Sequence, residues 1–188
     1  MTNSQLDTGS VLSGAVLGLA SWLSGYAFIY LLVASDIRES SLNRIIEAFE
    51  GEPAIYEMVG WVFYNAHMVN TVFSDIPLIG SQTATYVGGE DGFTALLYLI
   101  PVALLCVAGV VLARYQQAES PTDGALAGVL VVPGYFIVSV VGVFLFEVTL
   151  GGAQGGPDFL PAVFLAGLVY PLVFAGGAGA LTGLLTDE

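Results

Sequence analysis

Apolar residues run uninterrupted by Asp, Glu, Lys or Arg through four stretches, 11–34, 93–113, 124–146 and 159–186. These are 24, 21, 23 and 28 residues long. A helix rises about 1.5 Å per residue, so roughly 20 residues cross a hydrocarbon core about 30 Å thick. In lipid, backbone N–H and C=O groups must pair within their own segment, which makes such runs helical. The pattern predicts four transmembrane helices. The connections 114–123 and 147–158 are short and make successive helices antiparallel. The second holds a Gly151-Gly152-Ala153-Gln154-Gly155-Gly156-Pro157 turn. No basic residue precedes position 11, so 11–34 reads as a retained span rather than a secretory signal.

The first connection, 35–92, is 58 residues long and has a pattern of its own. Asp36 and Glu39 have capping-box spacing, which predicts a helix start at Asp36. Leu42, Ile45, Ile46 and Phe49 follow the i, i+3, i+4, i+7 rule of an amphipathic face. Gly51 can end that helix and Pro53 can open another. The second helix is expected from about Pro53 to Phe73. Along it Glu57, Gly60, Tyr64, His67, Thr71 and Ser74 recur every three or four residues, one polar or small stripe on a single face. Two readings stay open. The segment is a surface or re-entrant helix with its apolar face toward lipid, or a fifth span whose stripe faces other helices or a water-filled path. The cost of Glu57, Asn65, His67 and Asn70 in lipid favours the first. The sidedness that follows is four spans, both termini cytoplasmic and the long connection outside.

Composition agrees and adds a source. Hydrophobic residues make up 56% of the 188 and charged residues only 10%, against roughly 25% charged in a soluble domain. The high apolar content excludes disorder. Sixteen acids face three arginines and no lysine, a net charge of −13. Nucleic-acid binding needs many cations and is excluded as a role. At molar salt the screening length is about 3 Å, so acidic crowding is tolerated there. The excess of acids without lysine predicts an extreme halophile.

A resemblance points the same way. Residues 31–38 (Leu-Leu-Val-Ala-Ser-Asp-Ile-Arg), 42–49 (Leu-Asn-Arg-Ile-Ile-Glu-Ala-Phe) and 56–67 (Tyr-Glu-Met-Val-Gly-Trp-Val-Phe-Tyr-Asn-Ala-His) resemble a family of small haloarchaeal multi-pass membrane proteins. The resemblance implies a location in the cell membrane and a salt-loaded source. It carries over no catalytic residue.

Within the spans, Gly14, Gly18, Ser21 and Gly25 repeat at spacings that place small residues on one helix face. Gly124 with Gly128, and Gly179 with Gly183, do the same. Such faces let helix backbones approach closely, within one chain or between copies. Pro101, Pro133 and Pro171 lie inside spans and can kink them. Pro101, Ala108 and Gly109 echo Pro171, Ala178 and Gly179, which raises a duplicated helical hairpin as an origin. Glu147, at the edge of the third span, joins Glu57, Tyr64, His67 and Thr71 as a candidate polar path. Cys106 lies mid-span and reads as a small hydrophobe. One histidine and one cysteine give no metal set, and no phosphate loop, nucleophile elbow or zinc-protease motif occurs.

The expectation is therefore an all-α integral membrane bundle, a single domain over 1–188, with four transmembrane helices and one or two amphipathic helices in the first loop. It has no catalytic, cofactor or metal residues and is not an enzyme. Its expected partners are the lipid bilayer and either further copies or other membrane subunits. The leading role is an interaction or accessory subunit. The rival is a small-solute or ion transporter or channel acting as an oligomer.

Overall fold

A computed structural model describes residues 8–76, 80–89 and 92–186. Residues 1–7, on which most of the signal-peptide reading rests, lie outside this set. Among the described residues, four helices are long and apolar enough to cross a membrane: Thr8–Glu39, Ala95–Tyr115, Pro121–Leu145 and Phe159–Thr186. They run alternately toward and away from one end of the bundle. That end carries the first and third connections; the other carries the second.

The first helix, α1 (Thr8–Glu39), is longer than its apolar run. Asp36 and Glu39 lie in its last turns rather than opening a new helix. The next helix, α2 (Ser41–Glu50), is capped instead by Ser40, whose hydroxyl accepts from the Asn43 N–H at 3.2 Å. Gly51 ends α2 with φ +82° and donates its N–H to Glu47 O at 2.9 Å, the left-handed stop that a side chain disfavours. Pro53 does not enter the next helix. It precedes the Ala54 cap of α3 (Ile55–Asn65).

The largest departure from expectation comes next. The helix expected to reach Phe73 stops at Asn65. The Tyr64 carbonyl is taken by the N–H groups of His67 and Val69, and the Asn65 carbonyl by that of Met68, in a tight turn with Met68 at φ +60°. The chain returns as a strand, β1 (Thr71–Ile76), followed by β2 (Gly80–Ala84). The fold is thus mostly helical but not all-α, because it contains a four-stranded antiparallel sheet. The other two strands are β3 (Val148–Leu150) and β4 (Ala153–Pro157), joined by Gly151 and Gly152, both at positive φ. Two such residues are what the twist of a tight hairpin demands. The sheet order is β2-β1-β4-β3, with Thr71 opposite Pro157 and Phe73 opposite Gly155. Each connection at this end supplies one hairpin, and β1–β4 pairing sews the two together. β1 is an inner strand and β3 an edge strand, so the two hairpins hold non-equivalent places, unlike the halves of a simple duplication.

A 3₁₀ turn (Ala95–Tyr98) leads into α4 (Leu99–Tyr115). Ser120 caps α5 (Pro121–Val129), accepting from the Asp123 N–H at 3.2 Å. The third long helix changes hand-hold at Leu130 and Val131, which bond three residues back, before α6 (Val132–Leu145) resumes. Pro133 has no N–H to give and forces that adjustment. The last helix, α7 (Phe159–Thr186), is wound in π fashion over Ala162–Val169 and Pro171–Ala175 before an ordinary α-helical end.

The helices meet at glycine. A Cβ on Gly124 would overlap the Gly179 carbonyl, one on Gly128 that of Ala175, and one on Gly183 that of Ser120. Gly14 and Gly18 lie equally close to Leu130 and Val131, and Gly25 sits against the Phe63 ring. Ser21 is buried on the same face and donates to the Leu17 carbonyl at 2.8 Å. All these contacts lie within one chain, and the removal of side chains is what brings the backbones together.

Candidate functional site

Within the bundle, α3 runs antiparallel to α1 and α6, from the sheet end inward. At its start the Tyr26 hydroxyl donates to the Tyr56 carbonyl at 3.1 Å. Further in, Phe63 sets its edge on Trp22 with ring centres 4.9 Å apart. Along α6 the order reverses: Trp61 Nε1 donates to Phe146 O at 2.6 Å, Tyr64 Oη to Ser139 O, and His67 meets Tyr135. The helix therefore enters the bundle and ends near its middle, and the chain leaves as β1. Nearly all of it is buried because α1 and α6 wrap it; only Tyr56 is exposed and Glu57 half-buried.

At its inner tip sits a cluster of four polar side chains from three elements. His67 is fully buried. Its Nδ1 lies 2.8 Å from the Phe63 carbonyl, which can only accept, so Nδ1 carries a proton. Its Nε2 lies 2.6 Å from the Tyr135 hydroxyl. No acid is paired with it among the described residues. A charged ring without a counter-ion is costly when buried, so the arrangement suits a neutral imidazole whose Nε2 accepts from Tyr135. Tyr170, from α7, stacks obliquely on the ring at 4.9 Å and donates to Ala66 O at 3.5 Å. Tyr64 completes the cluster. Ser139 gives its carbonyl to Tyr64, while its own hydroxyl and the Trp22 indole N–H are buried without a partner.

The expected polar path does not stay together. Tyr64 and His67 meet in the cluster. Thr71 is buried at the start of β1, its hydroxyl 3.5 Å from Asn65 Nδ2. Glu57 stands in the first turn of α3, far from the tip. Ser74 and the exposed Glu147 line a separate cavity of about 360 Å³ beside Gln154 and Asp158, at the flank of the sheet. The stripe divides because α3 stops where a continuous helix was expected.

The sheet end is a cap keyed to the bundle. Asn65 Nδ2 donates to Val69 O and its Oδ1 accepts from Tyr86 N, both at 2.7 Å. Asn43 does the equivalent for α2, giving to Arg38 O at 3.3 Å and accepting from Ala54 N at 3.0 Å. Asp158 N donates to Asn70 O at 2.9 Å, tying the start of α7 to the return of α3. Burial pushes the Tyr86 phenol up to about 12, so it stays neutral here. Between α2 and the sheet lies a second cavity of about 360 Å³, lined by apolar residues of both and floored by Trp61.

Tyr135, Ser139, Tyr170, Asn43 and Asn65 escaped sequence reading as site residues. Tyr135 and Ser139 are four apart on α6 and share a face with Gly142 and Phe146, a polar pair in an apolar run. Counting charges alone passes over it. No group of three or more His, Cys, Asp or Glu placed to hold a metal occurs among the described residues.

Fold and site together define a bundle of four membrane-length helices around the short, buried α3, with a composite β-cap. The chain belongs to a family of unknown function, DUF7978, matched over residues 1–186. Neither the curated proteins nor the solved structures provide a match.

Proposed function

We propose that this is a multi-pass cell-membrane protein that acts as an interaction or accessory subunit and presents its cap to a partner. The observation that carries the reading is the cap itself. It is tied to the bundle through Asn43, Trp61 and Asn65 and leaves an apolar cavity open beneath α2. A rigid platform with an open apolar surface suits the binding of a partner. The acid excess and lack of lysine fit a salt-loaded cell. The test is the composition of the particle purified from native membranes at molar salt. A stoichiometric second polypeptide is the expected result. A homogeneous particle containing this chain alone overturns the reading.

A second reading has its own support. A half-helix ending in a buried His–Tyr cluster, with an unpartnered Ser139 hydroxyl and Trp22 indole nearby, is the kind of element that transporters use. It predicts that the reconstituted chain passes a small ion or solute, and that Tyr135→Phe or His67→Phe cuts that flux at least tenfold. Vesicles tight to every tested solute remove it.

A further inference from the structure

The cavity under α2 has a chemistry of its own. Its walls are Leu42, Ile46 and Phe49 from α2 and Phe73, Val148 and Leu150 from the sheet. The amphipathic face of α2 is only half used. Ile46 is buried, yet Phe49 is 74% exposed and Ile45 49%. Phe49 thus leaves an apolar face open at the rim of the cavity.

The surrounding charge is one-sided. The helix α2 and the strands around the cavity carry Glu47, Glu50 and Asp75 against Arg44, with Glu52 and Glu147 just beyond their ends. A second copy would bring the same acids to the contact. Like charges meeting across an interface disfavour it, whereas opposite charges select the partner and raise the association rate.

We infer that this cavity docks an amphipathic segment of another protein, with large apolar side chains entering between α2 and the sheet and Lys or Arg residues flanking them. This rests on the accessory-subunit reading and adds the place and chemistry of contact.

The test uses the full chain in nanodiscs and two synthetic amphipathic helical peptides. They share one Leu/Phe face and differ only in flanking Lys/Arg or Glu. A photo-crosslinking phenylalanine analogue is placed at position 150, and at position 31, an exposed leucine of α1, as control. Salt is set to the lowest concentration that leaves the unfolding midpoint unchanged. The basic-flanked peptide should bind about tenfold or more tightly than the acidic one and crosslink at 150 but not at 31. Phe49→Asp should weaken it about tenfold, since Phe49 is exposed and its loss does not disturb the core. Equal binding of the two peptides, an unaffected Phe49→Asp, equal crosslinking at both positions, or crosslinks from 150 to a second copy of the chain would each overturn the proposal. Failure of the wider reading looks different. A second polypeptide that co-purifies but does not crosslink at 150 rejects this cavity and keeps the accessory role. A particle with no second polypeptide rejects both.

Discussion

Asn65 meets three demands with one amide. It holds the carbonyl of Val69, receives the N–H of Tyr86 and reaches toward Thr71, so the tip of α3, its return and the chain after β2 share one anchor. Leucine there has similar volume but answers none of these groups. A buried polar group left unpaired costs about 1–3 kcal/mol, so Asn65→Leu should lower the unfolding midpoint measured by tryptophan fluorescence in nanodiscs. Glycine offers a paired test. Gly124→Ala drives a methyl into the Gly179 carbonyl, while a Cβ on Gly177 meets nothing within 4 Å. Overpacking costs about 1–3 kcal/mol. The first variant should unfold at lower temperature in the same assay and Gly177→Ala should not.

Among the elements, α3, which ends inside the bundle, makes the sharpest topological prediction. Both of its flanks return to the cap end. Single cysteines at Glu50 and Gln82, in a Cys106→Ala background, should react with a membrane-impermeant maleimide from the same side. Labelling from opposite sides would require a fifth span. The long helices were legible because a run of twenty apolar residues has few other outcomes, and the α2 stop was legible because Gly51 supplies the left-handed conformation directly. The sheet was not. Thr71-Val72-Phe73-Ser74 satisfies a helical stripe as readily as a strand, since periods of 3.6 and 2 overlap over so few residues. Its partner β4, Ala-Gln-Gly-Gly-Pro, has almost nothing of strand composition and is specified by a neighbour distant in sequence. His67 stood out as a polar residue in the stripe. Its partners Tyr135 and Tyr170 lie on helices that were read for length and small-residue packing alone.

At the scale of the whole molecule, a net charge of −13 with three cations makes self-repulsion a standing cost. The unfolding midpoint should therefore rise with NaCl from 0.1 M to 3 M, and most of the gain should appear while the screening length is still longer than the spacing of the acids. A flat midpoint over that range would count against the salt-loaded source. The arginines are divided, Arg38 and Arg44 at the cap end and Arg114 at the other, so charge alone gives the chain little preference for one orientation. The composite sheet also orders events in time. β1 pairs with β2 at once but meets its second partner only after α4, α5 and α6 have been made, because β4 follows all three in the chain. During synthesis the inner strand waits with one edge open through these three helices. A ribosome-bound chain halted before position 148 has a bundle without a finished cap. Cap completion is thus a late checkpoint, and any partner that reads the cap meets only chains whose third long helix is already in place.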